Sequence, residues 1–157
     1  MAFALLLGFS ACSSDDAKEI EGIWTLSSFE EQTVKTNYLG GGITVQTTQN
    51  YDLVDANRQW RFNLDPQTID FAGFKEVSDE RLELSNGDTL NYSFAVIERT
   101  LFNSSQTWEL SDNETMIIGT LPRQFEFNYE VTESQLSLNI SRNTANETHT
   151  VRYRFTR

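Results

Sequence analysis

The chain has 157 residues and a formal net charge of −11, a length that suits one domain with an ordinary core. Hydrophobic residues make up 38% and charged residues 22%, which excludes both a disordered chain and a membrane-spanning bundle. The acidic balance repels phosphate backbones and anionic lipid heads, so no nucleic acid is expected as a partner.

The first residues form a separate unit. Phe3 to Phe9 read F-A-L-L-L-G-F, an apolar run far short of the about 20 residues that span a bilayer but suited to the core of a secretory signal. Small Ser10 and Ala11 follow, then Cys12, then Ser13-Ser14-Asp15-Asp16. Phe9 to Cys12 resemble the bacterial lipobox, with Phe9 where Leu is usual. That resemblance implies a signal peptide over 1–11, a diacylglyceryl group on the thiol of Cys12, and a lipidated cysteine with an acidic tether over 12–21. The acidic residues after the cysteine also resemble the surface-export signal of Bacteroidetes-type lipoproteins. The implied partner is a membrane, reached through the lipid on Cys12. The implied location is the bacterial outer membrane, on its periplasmic or cell-surface side. Each buried acyl methylene contributes about 0.8 kcal/mol, so two or three chains hold a protein stably.

Asp15 to Glu21 is expected as a turn at a barrel mouth, capped by Asp15 or Asp16. From Gly22 onward, alternation of period two dominates. Trp60, Phe62 and Leu64 alternate with polar neighbours, as do Tyr92, Phe94 and Val96. The same holds for Phe125, Phe127, Tyr129 and Val131, for Leu136, Leu138 and Ile140, and for Val151, Tyr153 and Phe155. Such segments have one apolar and one wet face. Turn residues separate them at Asp65-Pro66, Ser85-Asn86-Gly87-Asp88, Ser111-Asp112-Asn113, Thr132-Glu133-Ser134 and Asn143 to Asn146. Tyr38 to Asn57 is the least regular stretch. It is expected as a mobile binding loop around Gly40-Gly41-Gly42, with a short strand near Ile43 to Thr48.

The pattern predicts an all-β, antiparallel up-and-down meander of about eight strands over residues 22–157. A meander of that size removes its edges by closing into a barrel or by folding into two packed sheets. Gly22-Ile23-Trp24 at the first strand resembles the Gly-x-Trp motif that opens lipocalins and their bacterial relatives. Thr107 to Ile118 and Tyr129 to Leu138 are similar to segments of Bacteroidetes-type lipocalin-like lipoproteins. The resemblance implies a lipocalin-like β-barrel. It also implies that Trp24, with Gly22, closes one barrel end under an arginine near the end of the last strand, Arg154 or Arg157.

Catalytic signals are poor. The lone histidine, His149, reads as an ordinary surface residue, and Gly-x-Ser-x-Gly is absent. Glu30-Glu31 cannot converge on one bond, because adjacent strand residues face opposite ways. One cysteine and one histidine exclude an internal disulfide and a zinc site of His and Cys. No metal and no cofactor is expected, and no enzyme. Trp60 and Trp108 are candidate ligand contacts, as is Tyr38 in the irregular stretch, although Trp60 and Trp108 share their strand face with apolar companions. Arg58 and Arg61 flank Trp60 and suit a carboxylate or a solvated outer face. The function expected is a monomeric, membrane-anchored envelope lipoprotein that binds a small apolar or amphipathic ligand in its barrel or acts structurally. A protein- or glycan-interaction module displayed on the cell surface is the alternative.

Overall fold

A computed structural model describes residues 13–55, 58–84, 88–99, 105–112 and 114–157. Cys12, the segment before it, Ser85-Asn86-Gly87, Asn113 and the side chains of Tyr92 and Phe94 lie outside the described residues. One helix and eleven strands follow in chain order: α1 (Ser13–Ile20), β1 (Gly22–Gly40), β2 (Ile43–Leu53), β3 (Arg58–Leu64), β4 (Gln67–Asp70) and β5 (Phe74–Leu84). Then come β6 (Thr89–Arg99), β7 (Gln106–Asp112), β8 (Thr115–Thr120), β9 (Arg123–Val131), β10 (Gln135–Asn143) and β11 (Glu147–Thr156).

Eight strands close an antiparallel barrel in the order β1-β3-β4-β7-β8-β9-β10-β11, with β11 returning to β1. The expected all-β barrel is therefore present, and three further strands, β2, β5 and β6, leave it as an arm. The branch arises in β1, which at 19 residues is longer than one barrel wall requires. Gly22–Leu26 pairs with β3 and Glu30–Gly40 with β2, while Thr25–Lys35 pairs with β11 across the other edge. The stretch expected as a mobile loop is thus a long hairpin. Gly41 and Gly42 have φ of +63° and +79°, the positive values a two-residue hairpin turn needs at both central positions. Strand β2, ITVQTTQNYDL, takes in the short strand expected near Ile43 to Thr48 and extends it to Leu53 through residues that are mostly polar.

Inside the barrel the alternating residues converge. Trp24 lies opposite Trp60 in the ladder. Trp60 packs on Phe155 and Tyr153 with ring centroids 4.8 and 5.3 Å apart, and Phe29 meets Tyr153 at 4.9 Å. Phe62 and Trp108 meet edge-on at 5.6 Å. Such pairs contribute about 0.5–1.5 kcal/mol each beyond the area they bury. Phe127 and Tyr129 are buried as the alternation predicts, whereas Phe125, nearer the open end, is 36% exposed.

Helix α1 closes the other end, where a turn and a tether were expected. Ile20 is fully buried, and Ala17, one turn earlier, packs on the core. The indole N–H of Trp24 donates to the Ile20 carbonyl (2.7 Å), and the Tyr129 hydroxyl donates to the Asp16 carboxylate (2.8 Å). The packed domain therefore begins before Gly22, because an i, i+3 apolar pair puts one helix face on the core.

Of the two candidate arginines, Arg157 is the one over Trp24, with its guanidinium carbon 4.0 Å from the ring centroid. It also donates to the carbonyls of Glu19 and Glu21 at the end of α1, where a cation suits the helix dipole. Arg154 points outward and meets Glu30 at 3.4 Å.

At the root of the arm, Asp55 accepts from the backbone N–H of Lys75 (2.6 Å) and from the Arg58 guanidinium at 2.7 and 3.1 Å. One carboxylate thus ties the start of β3 to the start of β5.

Two predictions follow from these contacts. Arg157→Ala should lower the stability of the domain by about 1–2 kcal/mol through loss of the cation–π contact and the helix-end bonds. Arg154→Ala should stay within about 0.5 kcal/mol, as exposed pairs do. Urea unfolding of both variants checks this, and equal losses would contradict it. The Lys75 N–H, then Arg58, hold the Asp55 carboxyl below its ordinary value near 3.8. A carboxyl depressed on folding contributes stability above its unfolded pKa and loses it as pH falls through the folded pKa. Asp55→Asn should therefore lower stability at neutral pH and flatten its fall below about pH 4, read from urea midpoints across that range.

Candidate functional site

The open end is built by two strands that part. Strands β9 and β10 pair only over Asn128–Val131 and Leu136–Asn139. Beyond that, Arg123–Phe127 stays with β8, and Ile140–Asn143 stays with β11. Between the parted strands lies a cavity of about 110 Å³. Trp60, Phe71, Ile118, Phe125, Phe127, Ile140, Val151 and Tyr153 line it, with Glu31, Arg142 and His149 as its polar groups.

The polar groups come from adjoining rows of the ladder. Ile140 faces Val151, which faces Glu31, while Arg142 faces His149. His149 Nε2 lies 2.8 Å from Glu31 Oε1. Their side chains are 29% and 12% exposed, so His149 is a half-buried cavity residue and not the surface residue expected. It reaches the cavity because it shares a strand face with Val151 and Tyr153.

A β-bulge decides which of the adjacent glutamates enters. Leu26 pairs with Phe155 and Ser28 with Arg154, leaving Ser27 as the extra residue. The bulge reverses the alternation, because the side-chain period is two. Trp24 and Leu26 point inward before it, and Phe29 and Glu31 after it. Glu30 therefore faces outward, toward Arg152 at 3.5 Å and Arg154 at 3.4 Å. Phe29 was the available signal for this switch, since it is the apolar residue out of phase with Trp24 and Leu26.

The candidate contacts separate. Trp60 lines the cavity; Trp108 and Tyr38 do not. Trp108 is buried, its indole N–H shared between the carbonyls of Asn63 and Thr68, both at 3.1 Å. Tyr38 stands 72% exposed near the hairpin tip of β1 and β2. Arg58 is committed to Asp55, and Arg61 lies on the outer face. Among the described residues no group of three or more His, Cys, Asp or Glu is placed to hold a metal ion.

A carboxylate–imidazole pair can orient a proton, but acyl transfer also needs a nucleophile beside it. Among the described residues no serine, threonine or cysteine lines the cavity. The arrangement suits holding a molecule with an apolar end inside and hydrogen-bonding groups at the rim. Comparisons of the chain with protein-family models, with curated proteins and with solved structures found no match.

Proposed function

We propose that this chain is a lipid-anchored, non-catalytic envelope protein of the bacterial outer membrane, monomeric, whose barrel takes the apolar end of a small amphipathic molecule. The cavity between β9 and β10 carries this reading. Its 110 Å³ lies below the about 300–1,000 Å³ of sites that enclose a whole small molecule. It is nearer the about 150 Å³ engineered cavity that takes benzene or xenon. The inserted part is thus one ring or a short branched chain. The remainder lies at the mouth against Phe125, within reach of Glu31, His149 and Arg142. The lipobox-like residues ending in Cys12 support the anchor. Ser13 begins the helix that packs on the closed end, so a lipid on its neighbour leaves the open end facing away from the bilayer.

Each half has its own test. Phenol and benzyl alcohol, titrated into the protein, should shift the indole N–H resonance of Trp60. Phe125→Glu, a charge at a partly exposed position, should weaken that binding by about tenfold. Undisturbed binding in the variant, or no shift at any concentration, rejects the cavity reading. For the anchor, the full chain and a Cys12→Ala form are expressed in a bacterium and partitioned into detergent. The unaltered chain should enter the detergent phase and the variant the aqueous phase; equal solubility rejects the anchor.

A further inference from the structure

The wall that carries Glu31 inward carries a second surface outward. Five adjacent strands, β10-β11-β1-β2-β5, present two polar rows there. Asn139, Arg152, Glu30 and Asp52 form one, each opposite the next in the ladder. Ser141, Thr150, Gln32, Asn50 and Asp79 form the other. These rows line a groove of about 530 Å³, a volume within the range of small-molecule sites and well above that of the inner cavity.

We propose that this groove is a binding site for a neutral saccharide. The amides are already oriented by their neighbours. Gln32 Nε2 donates to Asn50 Oδ1 (2.8 Å), and Asn50 Nδ2 donates to Asp79 Oδ1 (2.9 Å). Arg152 Nε donates to Asn139 Oδ1 (3.1 Å). An amide carries two N–H donors and two acceptor lone pairs, and a carboxylate about four acceptor sites. Each bond above uses one of these and fixes the direction of the rest. The result is an array of alternating donors and acceptors held still before a ligand arrives, which lowers the ordering cost of binding. Vicinal hydroxyls, each able to donate and to accept, match such an array.

Charge and shape exclude the other classes. Glu30, Asp52 and Asp79 against Arg152 leave the groove acidic, which disfavours phosphates, nucleic acid and acidic sugars. Among the described residues no aromatic side chain lines it, so a flat apolar ligand has nothing there to stack on. Arg152, standing in the middle of the first row, opposes a polycation.

The test uses the intact domain with maltotriose, cellotriose and triacetylchitotriose as neutral probes, trigalacturonate as an acidic one and spermine as a cation. At least one neutral trisaccharide should bind and shift the amide resonances of residues 30–32, 50–52 and 150–152. Trigalacturonate should bind about tenfold more weakly or not at all. Asn50→Leu should weaken the neutral ligand by about tenfold. Gln32→Leu, at an exposed position, should act in the same direction and guards against a folding defect in the first variant. Both should leave phenol binding in the barrel intact, and Phe125→Glu should leave saccharide binding intact, so the two sites succeed or fail separately. The proposal is overturned if no neutral trisaccharide binds, if spermine alone binds, or if neither amide variant weakens the saccharide.

Discussion

A strand has two edges and two faces, and β1 spends all four. One edge carries β11. The other is divided between β3, which continues the barrel, and β2, which starts the arm. Removing the barrel seam with β11 would open the cylinder, and removing the division would leave β2, β5 and β6 with no strand paired to it. The inner face supplies Trp24, Leu26 and Phe29 to the core, and its outer face supplies Glu30 and Gln32 to the groove. The bulge at Ser27 keeps both ends of this long strand in phase with their surroundings. Without it, Phe29 would face water, and losing a buried aromatic ring from the core costs about 3–5 kcal/mol.

What was legible in the sequence follows from where one face is buried and the other wet. Strands β9, β10 and β11 carry a clear alternation, because their inner residues, such as Phe127, Leu138 and Tyr153, meet the core while Glu126, Asn139 and Arg152 meet water. In the arm, β6 carries the alternation of Tyr92, Phe94 and Val96, although Val96 is 58% exposed there, and β2 shows no such contrast. In β2 only Val45 is well buried, and Thr47, Thr48, Gln49 and Asn50 are alike on both sides. Periodicity cannot mark a strand whose two faces see similar surroundings. Helix α1 was hidden for a different reason. Ile20 is a lone aliphatic residue after an acidic run, and only the open barrel end above it makes its burial worthwhile.

The site shows the same division. Trp60 could be named from its strand, since an aromatic residue in phase with apolar companions has one place to go. Glu31 and His149 could not. Their inward placement depends on a one-residue bulge and on the register between β1 and β11, both of which are long-range facts. Arg142 is likewise placed by its ladder partner His149. Adjacent charges such as Glu30 and Glu31 look equivalent in a sequence. The fold makes one a partner of imidazole and the other a partner of two guanidinium groups.

The contents of the barrel limit what it can hold. Eight strands enclose a space just wide enough to be filled by side chains or to take one small ligand. All three tryptophans are buried in it, together with Phe29, Phe62, Phe127, Tyr153 and Phe155. Beside rings of this size, the parted ends of β9 and β10 leave a cavity of about 110 Å³. Enlarging that space would mean removing an aromatic side chain, at a cost of about 3–5 kcal/mol, a large part of the stability of a domain this size. The interior therefore serves the fold first. Hydrogen-bonding groups already ordered by their neighbours stand instead on the outer surface of the wall, where no core residue has to be given up.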